Sequence, residues 1–114
     1  MKKFIILYKA PVDAMTQTAN ASPGQQAKGM EAWMQWAKRR GNNLVDMGSP
    51  LMNAKVLSQD EKIKESKSEI VGYSVLEAKD MEDAISLLKG HPHISGWSAA
   101  ASIEVHESMQ LPGM

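Results

Sequence analysis

His91 and His93, separated by Pro92, are the residues of this chain best suited to chemistry. Imidazole titrates near neutrality, so it can give or take a proton, or hold a ligand by hydrogen bonds. His91 directly follows the end of an expected helix and is the preferred candidate; Pro92 fixes the backbone between the two, which predicts one ring turned inward and the other toward solvent. At the negative pole of a helix a histidine also serves as a plain dipole complement, with imidazolium favoured by a few tenths to about 1 kcal/mol. Asp46, behind Leu44 and Val45, could orient a histidine or accept from a ligand, or cap the turn that Gly48-Ser49-Pro50 suggests. His106 with His91 and His93 would make three imidazoles, but that pattern arises readily by chance. No metal and no cofactor are expected.

The elements that must carry these residues follow from periodicity. Ile70 to Glu77 is rich in β-branched and aromatic residues and reads as a strand, and Asp80 to Lys89 reads as a helix with Met81, Ala84, Ile85 and Leu88 on one side. Lys3 to Lys9 is a strand stopped by Pro11. Val12 to Ala21 reads as a polar loop. Ser22-Pro23 supplies an N-cap and a first-turn proline for a helix to about Arg40, closed by Gly41. Its expected core face is Ala27, Met30, Trp33, Met34 and Ala37, with Trp36 on the flank. Asn43 to Met47 and Met52 to Ser58 are short strand candidates on either side of the Gly48-Ser49-Pro50 turn. Gln59 to Glu69 is an exposed hairpin tip or loop, Ala100 to Glu107 the last strand, and Gln110 to Met114 an irregular tail.

With 114 residues the chain suits one compact domain. Its 13 basic and 13 acidic side chains cancel, which argues against nucleic acid or an anionic membrane as partner. Cysteine is absent, excluding disulfides and thiolate chemistry. The apolar run Phe4-Ile5-Ile6-Leu7 is too short for a secretory leader, and nothing approaches a membrane span, so a cytoplasmic protein is expected. No phosphate-binding glycine loop, dinucleotide fingerprint or nucleophile elbow occurs. Nine methionines suit an irregular core or adaptable pocket.

The element order predicts an α+β fold: two strand-helix-strand halves on one ferredoxin-like antiparallel sheet, with two helices on one face. The strands are apolar on both sides. Phe4, Ile6 and Tyr8 oppose Ile5 and Leu7, while Val71, Tyr73 and Val75 oppose Ile70 and Leu76. Two helices cover one face only, so a homodimer with the sheets packed face to face is expected.

Gly72-Tyr73-Ser74-Val75-Leu76-Glu77-Ala78, the helix through Ala84 and Leu88, Gly90-His91-Pro92-His93, Ile103-Glu104-Val105-His106-Glu107 and the middle run Leu44 to Leu51 together resemble the YCII-related family, including its DGPF-type branch. The resemblance covers nearly the whole chain, Val12 to Ala21 being its least characteristic part. It implies a dimeric α+β barrel that binds a small organic molecule, among relatives that include isomerases, dehalogenase-like proteins and monooxygenases. A histidine-aspartate pair has been proposed as catalytic in some members. Here the first helix carries Met30, Trp33, Met34 and Trp36 but no histidine, the second helix ends at His91 rather than an acid, and polar residues near Ser58 to Ser66 stand where the Asp-Gly-Pro-Phe signature would be.

Two functions follow as expectations. One is a small-molecule-binding protein or enzyme, with His91 or His93 in acid-base roles assisted by Asp46, and with Trp33, Trp36, Tyr73, Ser74 and His106 as ligand contacts. Gly72 and Ser74 would leave the hollow and the tryptophans its wall. The other is a non-catalytic dimeric binding or interaction module.

Overall fold

The computed structural model describes residues 1–11, 22–95 and 98–112; the expected Val12 to Ala21 loop and the last two residues of the tail lie outside them. Strand β1 (Lys2–Lys9) is followed by helix α1 (Pro23–Arg40), strand β2 (Leu44–Pro50), a small hairpin of β3 (Lys55–Leu57) and β4 (Ile63–Glu65), strand β5 (Ile70–Ala78), helix α2 (Met81–Leu88), a single 3-10 turn (Pro92–Ile94) and strand β6 (Ser102–Glu107). The four long strands form one sheet in the order β2-β5-β1-β6, every pair antiparallel. This is the ferredoxin-like α+β arrangement, with both helices packed on one face.

Local signals explain the helix ends. Ser22 Oγ accepts from the Gln25 amide while the Gln25 side chain accepts from the Ser22 amide, a reciprocal box. Asp80 caps α2 through the Asp83 amide at 2.8 Å. The covered face of the sheet presents Phe4, Ile6, Tyr8, Leu76 and Ala78, which join Trp36, Ala84 and Leu88 in a continuous buried core.

Three expectations change. The face of α1 turned to the core is Trp33, Trp36, Ala37 and Arg40; Trp36 is 1% exposed, whereas Met30 and Met34 are more than half exposed. The reason is polar. The Trp36 indole N–H donates to the Leu87 carbonyl at 3.2 Å, and Arg40 Nη1 donates to the same oxygen at 3.1 Å, fixing the helix rotation. Second, Gly48-Ser49-Pro50 is no turn between strands. β2 runs through it, with Ser49 opposite Tyr73 and Pro50 opposite Gly72. Third, the following strand is only Lys55–Leu57, and it pairs with β4 rather than joining the sheet.

β2 accommodates this by register shifts on each side of Asp46. Gly48 lies at the second, with φ +74°, and a Cβ there would stand 1.8 Å from the Tyr73 carbonyl oxygen. Both the left-handed backbone and the close approach require glycine.

The result is a slab of 46 × 45 × 20 Å, among the described residues a sheet with helices on one side only. On the other side Ile5, Leu7, Tyr73 and Val75 form a half-buried apolar row. Among the described residues, no helix is long and apolar enough to cross a membrane.

Gly48→Ala should lower the unfolding free energy by more than about 2 kcal/mol in urea titrations. Gly29→Ala, in open space within α1, should instead raise it by roughly 0.5–1 kcal/mol.

Candidate functional site

The site is built where the covered face meets the 3-10 turn. After α2 ends, Gly90 turns the chain with φ +77°, and His91 becomes the N-cap of Pro92–Ile94. Its Nδ1 accepts the His93 amide at 2.9 Å, while its carbonyl accepts the Ser95 hydroxyl at 2.7 Å. Pro92 occupies the first position of the turn, where no amide is needed. The His-Pro-His motif is thus a capped turn first of all.

That cap fixes the tautomer of His91. With Nδ1 occupied as an acceptor, the ring proton sits on Nε2. Nε2 is buried, and among the described residues nothing accepts from it. Rings surround it instead: Trp36 at 4.3 Å, Trp33 at 4.4 Å and Tyr8 at 5.0 Å between centroids. Burial in this box, with a smaller contribution from His93, pushes the His91 pKa down to about 3.

His93 is buried as well, its ring 5.3 Å from that of Tyr8. Its Nε2 donates to the Lys9 carbonyl at 2.9 Å. Burial lowers its pKa, opposed by the carbonyls of Lys9 and Ser102. Both histidines therefore point inward and are neutral at pH 7, which corrects two expectations: one ring does not face solvent, and the end of α2 holds no imidazolium. Desolvation here outweighs the helix dipole.

Below the imidazoles a second set of hydrogen bonds crosses the sheet. The Ser74 hydroxyl donates to the Met47 carbonyl at 2.7 Å, so the Tyr8 hydroxyl, 2.8 Å from Ser74 Oγ, must be the donor to it. Burial raises the Tyr8 pKa to about 12, against a lowering by Ser74. β1, β5 and β2 are joined there, and the space above Gly72 is taken by the Tyr8 ring, 3.5 Å from where a Cβ would lie. The hollow expected beside Gly72 and Ser74 is filled.

The remaining candidates lie elsewhere. Asp46 pairs with Val75 on the uncovered face, and its carboxylate accepts the Gly48 amide at 2.8 Å; it does not reach the histidines. Tyr73 is on that same face, half-buried. His106 pairs with Ile5 there and bonds Glu104, whose carboxyl is held below its ordinary range chiefly by this contact. The three imidazoles thus occupy two sides of the sheet, and among the described residues no group of three or more acidic or imidazole side chains is placed to hold a metal. Tyr8 is the member of the cluster missed in the sequence. Its alternation with Phe4 and Ile6 signals core, and nothing local announces its hydroxyl partner. A surface hollow of about 450 Å³ between α2 and β6 is lined by Met81, Ile85, Leu88, Ile94, Ile103 and Val105 among others and includes none of the histidines.

No protein-family model matches the chain, and no curated protein matches it significantly. Among solved structures it is similar to 5-chloro-2-hydroxyhydroquinone dehydrochlorinase from Burkholderia phenoliruptrix AC1100 in complex with 2,5-dihydroxybenzoquinone, with 16% identity over 91% of each chain and a TM-score of 0.49. A likeness of this degree transfers no residue and no reaction.

The buried imidazole predicts acid sensitivity. Its ordinary pKa is 6.5 and its folded value about 3, so between these pH values the unfolded chain binds a proton that the folded one refuses. Stability is complete above pH 6.5 and declines as pH falls toward 3, by a total on the order of 4–5 kcal/mol. His93 adds to the loss with the same sign. Urea unfolding followed from pH 7 to pH 4 should show this acid limb, shallower in His91→Phe; equal slopes would assign the sensitivity to other groups.

Proposed function

We propose that this chain is a cytoplasmic, YCII-like homodimeric protein that binds a small organic molecule at the cluster of Tyr8, Trp33, Trp36, His91 and His93. The observation that carries this reading is the His91 Nε2–H, buried with no described acceptor. Leaving such a donor dry costs about 1–3 kcal/mol, and a ligand oxygen or nitrogen seated among the rings would accept it. Trp33 is only half-buried, whereas Tyr8 and Trp36 are sealed. Rotation of the Trp33 ring is the way in, and a flat ligand would replace its packing on His91.

The same geometry favours binding over proton transfer. A general base needs a free lone pair, but Nδ1 of His91 is held by the His93 amide. An imidazole works best as a general acid when its pKa lies near working pH, and burial lowers that of His91 to about 3. In this reading His91 is a fixed hydrogen-bond donor, and Asp46 serves β2 rather than the histidines.

A non-catalytic module without a ligand is the competing reading, supported by the filled interior around Gly72. In both readings the partner is a second copy, laid on the row of Ile5, Leu7, Tyr73 and Val75. The chain exposes 8320 Å², against roughly 6,200 Å² for a folded monomer of this length.

A thermal-shift screen of metabolites separates the two readings. A bound compound should raise the melting temperature of the native protein, and His91→Ala and Trp33→Ala should lose most of that rise. A hit whose shift survives both substitutions and His93→Ala would make this site assignment wrong, and a screen without hits favours the module. Light scattering at micromolar concentration should report a dimer that Val75→Lys dissociates; a stable native monomer would refute the face-to-face partner.

A further inference from the structure

Among the described residues, the hairpin β3–β4 is a folded element with no other helix or strand packed extensively against it. Lys55 pairs with Glu65, Val56 with Lys64 and Leu57 with Ile63, and since opposed residues share a face, Leu57 and Ile63 lie together on the side that carries the Lys55–Glu65 ion pair. Leu57 is 69% exposed and Ile63 71%. From Leu51 to Glu69 only Ser58 and Ser66 are better than exposed. Two-stranded hairpins are marginal at best in water without a surface to pack on. This one nonetheless has an ordered tip. The Ser58 amide donates to the Lys62 carbonyl at 3.0 Å, the Glu61 amide to the Ser58 carbonyl at 2.8 Å, and the Lys62 amide to Asp60 Oδ1 at 3.0 Å. Glu61, which is not glycine, is held there at φ +64°, a backbone state that side chains rarely adopt.

We infer that the hairpin is an arm that lies on a second copy of this chain, with Leu57 and Ile63 as the contact. The inference rests on the dimer proposed above and extends it. The arm leaves after Pro50 and returns at Ile70, beside the Ser49–Tyr73 pair on the uncovered face, so apposing two such faces carries each arm past the edge of its own sheet toward the partner. Area supports the same conclusion. The surface surplus over a monomer of this length is roughly 2,000 Å², whereas an ordinary interface removes only about 800 Å² per partner. The exposed hairpin contributes to that surplus, and arms laid on the partner would add a second area of contact to the sheet row.

Because the chain has no cysteine, Leu57→Cys gives a unique thiol. In the dimer that thiol should react with an aromatic disulfide reagent at least about tenfold more slowly than after dilution below the dissociation constant. In sedimentation equilibrium Leu57→Asp with Ile63→Asp should raise the dissociation constant by at least about tenfold, while Val56→Asp on the opposite face leaves it unchanged. A double variant that dimerises as tightly as the native chain, or a thiol equally reactive in dimer and monomer, overturns the arm and leaves the sheet interface standing. A native protein that stays monomeric at every concentration overturns both.

Discussion

β1 and β5 carry apolar side chains on both sides, and the two helices cover only one of them. The rest of the molecule follows from how the two faces are treated. Under the helices the space is dry, so polar groups there are either hydrogen-bonded, as Tyr8 and Ser74 are, or neutral, as His91 is. On the uncovered side charge gathers at the β1–β6 edge, where Glu104 pairs with Lys9 and with His106. These exposed pairs contribute little stability; they border the apolar row without interrupting it. One face sets the chemistry open to the histidines, and the other sets what the protein can associate with.

On the dry side, the His93 amide decides the state of the imidazole before it. Accepting that amide turns His91 into a backbone cap, removes its basic nitrogen from use and directs the remaining N–H among three aromatic rings. A side chain recruited to fold a three-residue turn thereby becomes a rigid donor. Rigidity of this sort suits recognition, since little conformational freedom remains to be lost when a partner is accepted.

Much of the fold was legible in the sequence because its signals are local. Alternation marked β1 and β5, Ser22-Pro23 marked the start of α1, and Asp80 marked α2. The errors come from interactions that no local pattern contains. Which face of α1 turns inward is decided by the Leu87 carbonyl, 51 residues beyond Trp36. Gly48-Ser49-Pro50 has turn composition, yet the ladder with Tyr73 and Gly72 extends it. Asp46 would share a face with Leu44 in a regular strand; the register shift between them sends Leu44 to the helix side with Leu76 and Asp46 to the other with Val75. The histidines were correctly placed after α2, but their charge depends on burial by residues distant in the chain.

The contact between Gly48 and the Tyr73 carbonyl also bears on how this chain can diverge. Most positions in β2 and β5 can exchange one side chain for another of similar shape, and a drifting lineage can rewrite them gradually. Position 48 has no such neighbours in sequence space, because any β-carbon would collide with backbone rather than with a side chain that could yield. Descendants that keep the β2–β5 pairing must keep this glycine, so it should outlast every other residue of the strand as a marker of common ancestry.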